Sequence, residues 1–274
     1  MAKIVAGFGV PHTPVFPSVV QRNGPDCEES VLYREVAQHL EAVAPDALLL
    51  ISNDHFNTFF FDNFPLFAIG VAEQTSGPND GTPMPAYTAP VHEALAETIR
   101  SGLIPRYFDI AVTQEFSLDH SFMVPYHFLN AAQKLPIIPL FVHGFSNPLP
   151  NADRAYALGE AIAEILEAHP GAERVAIMAS GSFSLEIGGP LAAPGERSGT
   201  PDREWAAHVK MRMENAEIDD LVEEATGERM ARAGNAGGEL LNWLVMLGAI
   251  GAREPISFKP QVDHGHAFGI WRWD

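Results

Sequence analysis

The sequence is almost without cysteine, short of positive charge, and lacks any long apolar run. Its one cysteine, Cys27, rules out an internal disulfide and any multi-thiolate zinc or iron–sulfur site. A metal here would have to be held by histidine and carboxylate. Lys and Arg total 17 against 35 Asp and Glu, a formal charge of −18. Nucleic acid and anionic membrane surfaces are therefore excluded as expected partners, because both would be repelled. No apolar stretch approaches ~20 residues, so no transmembrane helix is expected. Met1-Ala-Lys-Ile-Val leads into strand-like sequence without a signal-peptide layout, which predicts a cytoplasmic location.

What is present suits one large folded unit. The 274 residues, 46% of them apolar, can bury a sizeable core, and no linker, repeat or low-complexity tract divides them; a single domain over 1–274 is expected. Short apolar runs at 3–9, 46–52, 66–72, 108–113, 136–142 and 174–180 read as buried strands. Helical patterning separates several of them, at Glu28–Val43, 89–99, Phe122–Lys134 and Ala152–Ala168, and returns over 202–249, where Gly238–Ile250 is the most apolar segment. The alternation predicts an α/β fold with a central, largely parallel or mixed sheet flanked by helices. Residues 73–88 and 186–201 read as long loops of the kind that serve active sites.

Histidine is comparatively plentiful, and its placement is informative. His12 and His55 each follow a strand-like run, and the carboxyl ends of strands are where open α/β sheets bind ligands. Two imidazoles delivered there can share one metal. Two histidines and one carboxylate with open positions is the arrangement of non-haem Fe(II) oxygenases. Glu239, a lone acid at the head of the apolar 238–250 segment, is the candidate carboxylate; a first-turn glutamate favoured by the helix dipole is the competing explanation. His120 and His143 also lie near strand ends. His39, His92, His169 and His208 fall in helical patterns and read as surface or packing residues.

Val10-Pro11-His12-Thr13-Pro14, Asn53-Asp54-His55-Phe56-Asn57, Leu118-Asp119-His120-Ser121-Phe122, Val142-His143-Gly144 with Asn147-Pro148, and Glu239-Leu240-Leu241-Asn242-Trp243 follow one another along the chain. As a set they resemble the LigB-type class III extradiol ring-cleaving dioxygenases, nearest the branch acting on protocatechuate, gallate and dihydroxyphenylpropionate-type catechols. The resemblance implies Fe(II) held by His12, His55 and Glu239, with His120 beside a small aromatic substrate and O₂ as a hydrogen-bonding or acid/base group. It also implies a homo-oligomer, or a hetero-oligomer with a homologous or small partner subunit. Asp54 and Asp119 are candidates to orient the histidines that follow them, or to make local turn and cap bonds.

The match departs from the family at one turn. Where the family places a further active-site histidine, this chain reads Ser180-Gly-Ser-Phe-Ser-Leu-Glu186, with Leu185 in the histidine's place. Leucine can neither move a proton nor hold a catecholate. The substrate has no need of that group, or Glu186, Ser184, His127 or His143 supplies it, or the chain is a silent metal-binding subunit of an active paralogue. A metal-dependent hydrolase is a further rival, since such sites also hold zinc. His127, two helical turns beyond His120, reads as a packing residue. His264 and His266 read as a solvated or subunit-contact loop, Trp271 and Trp273 as exposed or docked indoles that suit packing on the body or an oligomer interface, and Arg197 and Arg203 as the cations available to a substrate carboxylate.

Overall fold

The computed structural model describes residues 1–130 and 134–273. The chain runs β1 (Lys3–Val10), α1 (Phe16–Asn23), α2 (Glu28–Val43), β2 (Ala47–Ser52), β3 (Phe67–Gly70), β4 (Gln74–Gly77), β5 (Tyr87–Pro90), α3 (Glu93–Leu103), β6 (Ala111–Thr113), α4 (His120–Leu129), β7 (Ile137–Val142) and α5 (Ala152–Ala168). It continues through β8 (Arg174–Ser180), β9 (Glu186–Ile187), β10 (Ser198–Gly199), α6 (Arg203–Glu214), α7 (Ile218–Glu224), α8 (Gly227–Arg232), α9 (Leu240–Ile250), β11 (Ser257–Gln261) and β12 (His266–Arg272).

An eight-stranded sheet in the order β11-β12-β1-β8-β2-β7-β3-β6 carries the fold. Its centre, β1, β8, β2 and β7, is parallel, while β12 and β3 close it with antiparallel pairings, so the sheet is mixed. β2 shows why both faces are covered: all six of its residues are buried. Leu49 and Ile51 join the core under α3, α5 and α9, and Leu48 and Leu50 the core under α2 and α4. Strands buried on both faces read as continuous apolar runs, which is how they were visible in the sequence.

α9 is apolar all round and wholly buried, as such a helix must be. Glycines let it in. A Cβ on Gly9 of β1 would lie 1.9 Å from the Trp243 ring, and one on Gly248 of α9 would lie 2.1 Å from the Tyr156 carbonyl on α5.

Several expectations need correction. The 73–88 segment contains the β4–β5 hairpin rather than a bare loop. α3 starts at Glu93, not 89, because Tyr87–Pro90 pairs with β4 and the His92 ring accepts a bond from Leu95 N–H at the helix start. The helix expected over Phe122–Lys134 begins at His120; part of its expected end lies outside the described residues. His264 is exposed in a short turn, as expected, but His266 is buried at the start of β12 within the main sheet instead of lying in a solvated loop. Trp271 is buried and bonds the Arg253 carbonyl, and the Arg253 guanidinium lies over the Trp273 ring, so both indoles dock on the body.

Replacing Gly9 by Val should force Trp243 out of its seat and cost about 3 kcal/mol of stability, the order of overpacking a filled core. A urea denaturation series on wild type and variant measures it; an unchanged midpoint would mean that α9 is not held against β1 as described.

Candidate metal centre and active site

The parallel strands deliver their carboxyl ends to one edge of the sheet. His12 lies two residues past β1, His55 three past β2, His143 one past β7, and Gly181 follows β8. Glu239 arrives from above, at the head of α9. His12 Nε2 lies 3.1 Å from Glu239 Oε1, and His55 Nε2 lies 3.7 Å from the same oxygen. His12, His55 and His120 each offer a ring nitrogen, all within 4.8 Å of one another. The His120 and His55 rings stack with centroids 4.3 Å apart.

Both His12 and His55 are held from behind. Their inward nitrogens face Glu239, while His12 Nδ1 bonds Ser180 Oγ at 2.7 Å and His55 Nδ1 bonds Asp119 Oδ2 at 3.0 Å. Asp119 also accepts from the backbone N–H of His55 and, at the start of α4, from that of Ser121. It therefore both orients His55 and caps the helix. Asp54 acts only locally. Its carboxylate accepts the backbone N–H groups of Asn57, Thr58 and Phe59, folding the turn after His55.

The charges are arranged to stay ionised despite burial. Burial opposes the charge of Glu239, but the His12 and His55 rings hold its carboxyl below the usual range; the other oxygen accepts Ser182 N–H at 2.6 Å. Asp119 is likewise held low against its burial, by His55 above all. Burial pulls His55 down, yet Asp119 and Glu239 outweigh it and push the ring up to about 10. His120 goes the other way. Burial lowers it despite the neighbouring Asp80 carboxylate, which bonds its Nδ1 and backbone N–H. An ionised Asp80 accepts from Nδ1–H, so the neutral ring presents its Nε2 lone pair.

The donor set fits a divalent metal. Donors at about 2.0–2.2 Å from one ion stand roughly 3 Å apart on an octahedral face, close to the separations between the two histidine nitrogens and the shared oxygen. Each ring's remaining nitrogen already has its oriented partner, the arrangement metal-ligating histidines adopt.

The other candidates serve the surroundings. His143 Nε2 faces the Ser146 carbonyl and hydroxyl, closing the turn after β7. His127 packs against Tyr87 and Phe128. Glu186 accepts the backbone N–H groups of Asn235 and Leu191 beside a cavity of about 310 Å³ that opens past Phe145, and Ser184 ties the Ala233 carbonyl to Asp202 N–H. Leu185 is half-buried and its carbonyl bonds Ala236 N–H. Arg197 and Arg203 are exposed, and Arg203 faces Asp263 at 3.4 Å.

Sequence reading missed Asp80, Ser180, Asn53 and Asn242. Asn242 donates to Asn53 Oδ1 and to the Ser180 carbonyl, and Asn53 donates to the Val142 carbonyl, joining α9 to β2, β7 and β8. A polar residue inside an otherwise apolar helix was the one available signal for Asn242. Asp80 sits between Asn79 and Gly81 in a turn-like stretch and gave none.

Comparison with known proteins bears on this geometry. The model of a protein family described as the catalytic LigB subunit of aromatic ring-opening dioxygenase matches residues 6–269. The chain is 31% identical over 174 residues to the 2,3-dihydroxyphenylpropionate/2,3-dihydroxicinnamic acid 1,2-dioxygenase of Klebsiella pneumoniae (strain 342), covering 63% of this chain and 54% of that protein. It is 32% identical over 148 residues to the protein of the same name from Escherichia coli O139:H28, covering 54% and 46%. The chain thus spans about half the length of the curated relatives it matches. A crystal structure of an uncharacterised Escherichia coli K12 protein matches the fold with a TM-score of 0.63 at 14% identity, over 97% of this chain and 99% of that one.

Replacing Asp119 by Asn preserves shape but removes the charge behind His55. Metal affinity should fall about 10- to 100-fold, measured by competition with a chromophoric chelator. An unchanged affinity would remove Asp119 from any part in metal binding.

Proposed function

This chain belongs to the LigB family of aromatic ring-opening dioxygenases, and on that premise we propose that it is an Fe(II)-dependent extradiol dioxygenase opening the ring of a catecholic substrate with O₂. The observation that carries the reading is the convergence of His12, His55 and Glu239 on one point, with His120 alongside and not needed as a ligand. Two histidines and one carboxylate are the donor set that non-haem Fe(II) oxygenases use, and such a set would leave a bound metal accessible to substrate and oxygen. His12, His55 and Glu239 would hold the iron, which when bound supplies a charge sink and a template for a catechol and O₂.

The chain's own residues do the rest. Ser180 and Asp119 fix the orientation of the two ligand rings, so each turns its Nε2 toward Glu239. His120, uncharged and anchored through Nδ1 to Asp80, offers Nε2 to a substrate hydroxyl and can take up or return its proton. Phe145, its ring 4.5 Å from that of His55, gives the site an aromatic wall and limits water. His120 is the group of this cluster left for proton transfer, since His12, His55 and Glu239 are assigned to the metal and its neutral ring is anchored through Nδ1 to Asp80.

The test is oxygen uptake by anaerobically Fe(II)-loaded protein across catechols, gallates and aminophenols, with the yellow ring-opened product followed in parallel. Uptake matched by product is expected for at least one class; bound iron with no uptake on any of them would sink the reading. Glu239→Ala should lose its iron to a chelator that leaves wild type loaded. His120→Gln should keep its iron while kcat falls about 10²-fold or more; full activity in that variant would remove His120 from the chemistry.

A further inference from the structure

The proposed function uses three ligands and His120, and leaves the paired histidines before and at the start of β12 without a part. His266 is a buried histidine, 8% exposed. β12 runs antiparallel beside β1, its last recorded pair being Gly9 with Gly269, so the strand begins at the end of the sheet where β1 delivers His12. Burial above all lowers the basicity of His266, with smaller and opposed contributions from His264 and His12 on one side and Glu239 on the other.

The same segment is bound to the turn that follows β8. Phe183 N–H and Ser184 N–H donate to the Gly265 carbonyl at 2.6 and 3.3 Å. A Cβ on Gly265, which has a φ of +70°, would lie 1.9 Å from the Ser184 carbonyl oxygen, so the two backbones touch. That turn ends in Leu185, which brings no hydrogen-bonding side chain.

The ring itself is prepared as an acceptor. Gln261 Oε1 lies 2.8 Å from His266 Nε2, so Nε2 carries the hydrogen and Nδ1 the lone pair. Burial lowers its basicity to about 3, keeping the ring uncharged. His266 lines a cavity of about 250 Å³ with Pro11, Thr13, Phe16, Tyr33, Ser198 and His264. Pro11 and Thr13 bracket His12, so the cavity begins beside a candidate ligand.

We propose that His266 is a substrate-contacting residue, entering from β12 to accept a hydrogen bond from the bound catechol where the 181–185 turn has Leu185 in the place of a histidine. The inference rests on the proposed function and names a residue that it does not use. No bond of the substrate is broken by this contact; the imidazole holds a hydroxyl in place.

The experiment compares wild type, His266→Asn and His266→Gln, loaded anaerobically with Fe(II). The probe is 4-nitrocatechol, whose visible absorbance reports ionisation of its hydroxyls, titrated without oxygen. Both variants should retain iron against a chelator as wild type does, and bind 4-nitrocatechol at least tenfold more weakly; two variants guard against one failing to fold. Affinity and bound spectrum unchanged in either folded variant would overturn the proposal, and so would loss of iron from both, which would make His266 a support of the cluster. Weakened 4-nitrocatechol binding with no oxygen uptake by wild type on any catechol would sustain the His266 contact while the dioxygenase reading failed.

Discussion

A carboxylate sealed inside a protein persists only if its surroundings replace the water it lost. Glu239 meets that condition with two imidazoles on one oxygen and a backbone N–H on the other. The rest of the architecture can be read as what it takes to hold this arrangement. The imidazoles come from the ends of β1 and β2, separated in the sheet by β8, whose own end supplies both the Ser180 hydroxyl behind His12 and the Ser182 N–H against Glu239. A parallel arrangement is what brings three strand ends to one place.

α9 must then be held to within tenths of an ångström, and two kinds of contact do so. Glycines remove the side chains that would keep it away: Gly9 beneath Trp243, Gly248 against α5, and Gly238 against Gly144, where a Cβ would lie 2.3 Å from a carbonyl oxygen. Polar bonds then set its direction. Asn242 reaches Asn53 and the Ser180 carbonyl, and Trp243 Nε1 bonds the Gly181 carbonyl, so the helix carrying Glu239 is tied to the strand ends carrying its partners. Apolar burial makes the helix stable, and the amide bonds make its position specific.

Two carboxylates behind two histidines give those histidines different characters. Asp119 and Glu239 together raise the basicity of His55, whereas His120, with Asp80 behind it, is lowered by its burial and by the neighbouring His55 and His12 rings. Similar residue types a few ångströms apart are thereby suited to different work, one to a cation and the other to a substrate proton.

Although β11, β12 and the β4–β5 hairpin escaped it, β1, β2, β3, β6, β7 and β8 were legible in the sequence as short apolar runs. So were His12, His55 and Glu239 as candidates, since two lie just past strands and the third heads an apolar helix. What the sequence could not express was which distant polar groups complete each one. Asp54 and Asp119 both precede a key histidine by one residue, yet Asp54 folds its own turn while Asp119 reaches back 64 positions to His55. Asp80 finds His120 only because the β4–β5 hairpin brings it there, and His266 comes to the His12 end of β1 only because a C-terminal strand returns antiparallel beside the first. Periodicity records what faces a core, a local property of the chain. Side-chain hydrogen bonds and charge pairing, such as that of His12 with Glu239 227 positions away, depend on where the folded backbone sets the partners, and only the tertiary structure decided that.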